Sequence, residues 1–115
     1  STGGVQNVVS ITSSPSSTTL TAAQCGSTIE NTSVLNLTVN LPEASTVPGC
    51  RYHIVTASAT TYLVNPDDDD LILTWTATLG EAISNATLGN NVILQAMDNT
   101  NWITIGGTGA YTNAN

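Results

Sequence analysis

Alternation is the clearest pattern in this chain. Leu35, Leu37, Val39 and Leu41 alternate with Asn36, Thr38 and Asn40, the period-two pattern of a strand with one buried face. Pro42 ends the run, because proline cannot donate to a ladder in a central strand. A proline-bracketed turn follows, and after Pro48 and Gly49 residues 50–56 predict the next strand. There Tyr52, Ile54 and Thr56 face one side, and Arg51, His53 and Val55 face the other. Shorter strands are predicted at residues 18–21 and 60–64, and a run rich in β-formers at 71–76. Residues 78–88 are weaker, a loop or a short strand around Ala82 and Ile83. Residues 92–97 and 102–105, joined across 98–101, make the best β-hairpin.

Strand patterns recur at intervals of roughly 8–15 residues with turn residues between them, and none has a helical period. The expected fold is all-β: a single β-sandwich or jelly-roll-like domain of about eight short strands. Residues 18–115 form that domain, and residues 1–17 read as a loose N-terminal arm. Within the arm, Val8, Val9 and Ile11 suit one short strand at 7–12, able to pair with a neighbouring subunit. The bland alternative is a frayed terminus. No internal repeat is visible in the sequence.

Composition narrows the functional classes. The 115 residues carry one Arg, no Lys and eight carboxylates, for a formal net charge of −7, and charged residues make up only 8% of the chain. Nucleic-acid binding requires cations that displace phosphate counterions, and one Arg does not supply them. Attachment to an anionic membrane fails for the same reason. No run reaches about 18 apolar residues and no basic segment opens the chain, so a soluble chain is expected. The polar surface is instead Ser, Thr and Asn, which hydrogen-bond their own backbones and favour turns and strands. Such surfaces are typical of extracellular and virion β proteins.

The rare chemistry is concentrated in residues 41–56, which contain the sole Arg, the sole His and one of two Cys. On a strand, Arg51 and His53 share a face. A catalytic reading would use His53 as a base, but no GxSxG elbow or second His accompanies it. The expectation is structural: Arg51 pairs with an acidic group or backbone carbonyls and holds the corner or a neighbouring subunit, and His53 fills a polar strand position or a subunit seam. Cys25 and Cys50 either pair, closing a loop worth about 3.5 kcal/mol, or stand as separate buried thiols. Neither lies in a CxxC, so no zinc site is expected. Asp67, Asp68, Asp69 and Asp70 read first as a solvated acidic loop; Ca2+, which takes all-oxygen ligands, is the alternative. Trp75, Trp102, Tyr52, Tyr62 and Tyr111 are expected in the core or at an interface, with a sugar-stacking platform as the competing role. Three Asn-X-Ser/Thr sequons begin at Asn31, Asn36 and Asn85, in a composition where chance matches are common.

Several segments taken in order carry a family likeness. They are a Leu-Thr-Ala-Ala turn with a nearby Gly within residues 20–26, and Asn-Leu-Thr-Val-Asn-Leu-Pro from Asn36. Next come Pro-Gly-Cys-Arg-Tyr-His-Ile-Val from Pro48 and an Asn-Pro-Asp loop from Asn65. Gly-Asn-Asn-Val-Ile-Leu from Gly89 and Trp-Ile-Thr-Ile-Gly-Gly-Thr-Gly from Trp102 complete the set. Across residues 20–109 the chain resembles the small β domains of tailed-bacteriophage virions, found in head decoration (cement) proteins and in fibre or spike modules. The resemblance implies a non-enzymatic structural role with no cofactor. It implies a homotrimer that contacts the major capsid protein on the outer surface of the virion. Arg51, His53, Trp102, Val8 and Ile11 are then the interface candidates. The alternative is a receptor- or carbohydrate-binding module of a tail fibre.

Overall fold

The structure, a computed structural model, describes residues 8–11, 17–32, 35–73, 75–76, 78–97 and 100–113. Eleven strands occupy it: β1 Val8–Ile11, β2 Ser17–Thr19, β3 Thr28–Asn31, β4 Leu37–Asn40, β5 Arg51–Thr56, β6 Tyr62–Asn65, β7 Leu71–Ile72, β8 Ile83–Asn85, β9 Asn91–Ala96, β10 Asn101–Thr108 and β11 Thr112–Asn113. Two single-turn 3₁₀ segments, Ala22–Gln24 and Ala44–Thr46, lie in connections. The all-β expectation holds. The strand number exceeds about eight because several strands are only two to four residues long.

The strands form two mixed sheets. One, sheet A, has six strands in the order β1-β3-β5-β9-β10-β7; the other, sheet B, has five in the order β11-β8-β6-β4-β2. The first six strands alternate strictly between them, so the chain visits sheet A and then sheet B three times in succession. Within each sheet these successive strands pair in parallel: β1 with β3, β3 with β5, β2 with β4, and β4 with β6. The second half adds antiparallel pairs, β5 with β9, β9 with β10, β6 with β8 and β8 with β11, and sets β7 parallel to β10 at the edge of sheet A. The fold therefore contains a structural repeat that the sequence does not display. Register aligns Ile29 with Ile54, and Val39 with Val64, but it also aligns Thr28 with His53 and Leu37 with Tyr62. Only the inward positions keep a common character, and windings of unequal length hide even that.

Inward residues of both sheets belong to one buried cluster. It includes Ile29, Tyr52, Ile54, Leu94 and Trp102 of sheet A and Leu37, Val39, Tyr62, Val64 and Ile83 of sheet B. Tyr52 stacks on Trp102 with ring centroids 5.7 Å apart, a geometry that adds to area burial. Leu35, the first residue of the alternating run, stands outside β4 and is 53% exposed. The predicted strand at 71–76 is shortened to Leu71–Ile72. The Thr76 hydroxyl accepts the Ile72 N–H and donates to the Ile72 carbonyl. This side-chain bonding turns the chain and overrides β propensity.

Val8–Ile11 takes an edge position in its own chain, with Val8 opposite Thr28 and Ile11 opposite Asn31. Val8 is 62% exposed; the Ile11 side chain lies outside the described set. The predicted 98–101 connection and the ends of the predicted 7–12 strand also include positions outside it.

Candidate functional site

The corner at residues 41–56 is built from backbone bonds and one covalent link. Leu41, Ala44 and Val47 turn inward and are buried, while Glu43, Ser45 and Thr46 face out. Gly49 takes φ +80, a conformation open to glycine at little cost, and its N–H donates to the Ala96 carbonyl at 2.8 Å. Cys50 is bonded to Cys25, so of the two readings of the cysteines the structure adopts the disulfide. Beside it the Gly26 N–H donates to the Arg51 carbonyl at 2.7 Å. The turn after Ala22–Gln24 is thus fastened to the start of β5.

Arg51 and His53 lie together on the outer face of β5, as their spacing predicts. Arg51 Nε donates to Gln95 Oε1 at 2.8 Å, and His53 Nε2 is 2.8 Å from Asn91 Oδ1. Asn91 Nδ2 in turn donates to the Gly89 carbonyl, so the amide presents its oxygen to the ring. That oxygen accepts, which puts the imidazole proton on Nε2. Gly26, Arg51, His53, Ile93 and Ile105 line an open concavity of about 200 Å³. Sequence reasoning placed the cation and the imidazole on one face but missed Gln95 and Asn91. Their signal was the alternation of β9, which sets Asn91, Ile93 and Gln95 on one side; the strand that lies opposite comes from topology.

The acidic run divides. Asp67 and Asp69 come together with Glu43, the three offering oxygens within 4.8 Å of one another. These are hard oxygen ligands of the kind Ca2+ takes. Asp68 is exposed and not among them. Asp70 departs from the solvated-loop reading altogether, since it is fully buried. Its Oδ2 accepts the Ala44 N–H at 2.8 Å. Burial pushes its pKa up, the Ala44 N–H and the Trp102 indole hold it down, and the charges of Asp67 and Glu43 push it up further. Asp70 Oδ1 and Trp102 Nε1 are both buried without a full hydrogen bond, and the indole's effect on the carboxyl makes them neighbours. Glu43 was missed because nothing in the sequence brings residue 43 beside residue 67; adjacent connections on β4 and β6 do so.

Trp102 is a correction to the interface candidates. It is fully buried, as are Tyr52 and Tyr62, because its position in β10 faces the core beside Ile72 and Ala96. Tyr111 is 4% exposed, and Trp75 packs against the core with its Nε1 donating to Thr104 Oγ1 at 2.9 Å. A second buried polar group joins the sheets: Thr56 of β5 and Asn85 of β8 exchange hydrogen bonds at 3.0 and 3.1 Å. Asn31 is fully buried and donates to Thr60 Oγ1, so the sequons at Asn31 and Asn85 sit in structural networks. A scan against protein-family models gives no match to this chain, and a search of curated proteins gives none either.

Proposed function

We propose that this chain is a virion structural protein, a homotrimeric decoration (cement) subunit that stabilises the head of a tailed bacteriophage by binding its major capsid protein. The observation that carries this reading is the outer face of sheet A. Among polar residues such as Arg51, His53, Asn91 and Gln95, Val55, Ile93 and Ile103 are half-buried there and Ile105 is 44% exposed. Aliphatic side chains grouped among the polar ones on the outer face of a sheet suit a cover from outside the chain, and such a cover is what a self-assembling shell subunit has. The shared core of sheets A and B supports reading the domain as a β-sandwich with a parallel-wound first half. His53 engages Asn91, not a nucleophile or a carboxylate, in keeping with a structural role for the Arg51 corner. The competing reading, a glycan-binding module, needs ring faces at the surface, and Trp102, Tyr52 and Tyr62 are buried.

Light scattering of the purified chain tests this, together with co-sedimentation on expanded capsids. A trimeric mass and saturable capsid binding are expected. A monomer with no capsid affinity would sink the reading.

A further inference from the structure

The two sheets differ in what they show to the outside. Sheet B alternates more nearly as a half-solvated sheet does, with Val39, Val64 and Ile83 in the core and Thr38, Asn40, Asn65 and Ser84 on the other face beside a single aliphatic, Leu63. Sheet A puts aliphatics on both faces, and among its outer aliphatics lies a concavity that Arg51 and His53 both line. The concavity is prepared for a carboxylate. Gln95 engages Arg51 through Nε, which leaves the terminal amino groups as a fork able to grip two oxygens at once. Asn91 engages His53 through Nε2, so the ring borders the concavity and the grip on a carboxylate falls to the Arg51 fork. Ile93 and Ile105 supply apolar walls that suit the methylenes of an acidic side chain.

Charge complementarity identifies the occupant. A copy of this chain has one Arg, no Lys and eight carboxylates, so the concavity lined by that Arg is matched by the acid of an identical neighbour. The densest supply of acid is the Glu43, Asp67 and Asp69 group, which lies on connections of sheet B and not on the outer face of sheet A. We propose that the Arg51–His53 pocket of one copy receives this acidic group from a second copy in a head-to-tail contact. Unlike patches meet, so the interface is heterologous and closes into a ring when the rotation allows. The net charge of −7 opposes association, but at physiological ionic strength charges beyond about 8 Å are largely screened and the local pair decides. This inference rests on the self-assembling subunit reading above and names the surface that reading requires.

Sedimentation equilibrium of the full chain and two variants tests it. Arg51→Gln keeps the acidic group and loses the cation; the triple variant Glu43→Gln, Asp67→Asn, Asp69→Asn keeps the pocket and loses the acid. Each alone should associate roughly 30-fold or more weakly than the wild type, with far-UV circular dichroism unchanged. Mixed, they retain one intact pocket facing one intact acidic group, and a 1:1 heterodimer is expected. Wild-type assembly persisting in either variant, a mixture that gives no heterodimer, or a monomeric wild type overturns the proposal. The two readings fail separately. A monomer that still binds capsids overturns this contact and spares capsid decoration. Assembly through Arg51 with no capsid affinity does the reverse.

Discussion

Asp70 holds the backbone N–H of Ala44 at 2.8 Å across a separation of 26 residues, and both groups are buried. The connection after β4 is thereby tied to the one after β6, beside the Trp102 indole. Asp70→Ala leaves the Ala44 N–H without a partner and is expected to cost about 1–3 kcal/mol. Asp70→Asn keeps an acceptor for Ala44 and should cost less. The two also separate by pH. Burial first, then Asp67 and Glu43, raise the Asp70 pKa above 3.8 against the pull of Ala44 and Trp102. The folded state then binds the proton more tightly than the unfolded state. Its contribution to stability is full below the ordinary carboxylate range and is lost as pH rises through the folded pKa. The urea midpoint of the wild type, measured against Asp70→Asn, should therefore fall as pH rises from the ordinary carboxylate range. A pH-independent difference would contradict this.

The Cys25–Cys50 bond closes a loop with a sequence separation of 25 and fastens the turn before β3 to the start of β5. Reduction, or paired Cys25→Ser and Cys50→Ser, is expected to remove about 3.5 kcal/mol by freeing the unfolded chain. Urea unfolding with and without dithiothreitol measures it. A midpoint unchanged by reductant would show that the backbone bonds of the corner, including Gly26 N–H to Arg51, hold it unaided.

Much of the fold was legible where one side of a strand is buried. The alternation at Leu37, Val39 and Leu41, the two faces of β5, and the β9–β10 hairpin all follow from a period of two, because burial forces it. Partner choice was not legible. Nothing local distinguishes a chain that pairs β3 with β5 in parallel from one that turns back antiparallel, since the pairing is set by crossings between sheets. For the same reason Arg51 and His53 were found on one face, while Gln95, Asn91 and Glu43 were not joined to their partners. Trp102 was expected in the core or at an interface, because its alternation with Ile103 allows either face. Asp70 was hidden among three identical neighbours, and only the crossing of two connections separates it from them.

The three tyrosines should titrate late. Burial raises Tyr52 and Tyr111 from 10.0 to about 12, and raises Tyr62 further, with Tyr111 adding to it. The neutral phenols favour the fold, so their contribution is intact below about pH 10 and is lost as pH climbs through the folded values. Absorbance of tyrosinate during an alkaline titration is expected to rise in one cooperative step together with loss of far-UV ellipticity. A phenol ionising near pH 10 in the folded chain would place that ring at the surface.

Adjacent glycines in β10 should respond differently to a methyl group. At Gly107, opposite Val92, φ is +137, and a Cβ would come within 2.9 Å of the Val92 Cα and closer still to the Asn91 carbonyl oxygen. Backbone on the neighbouring strand cannot swing aside as a flexible side chain would. At Gly106 a Cβ would meet only the Ile93 Cδ1, at 3.4 Å, an ordinary contact. Gly107→Ala is expected to destabilise by more than about 1 kcal/mol. It should also displace Asn91 from His53, which shifts the imidazole resonances in NMR spectra. Gly106→Ala should stay within about 0.5 kcal/mol of the wild type. Thermal melts of the two variants side by side decide it: equal losses would mean that backbone approach at Gly107 does not fix the register that holds Asn91 against the pocket.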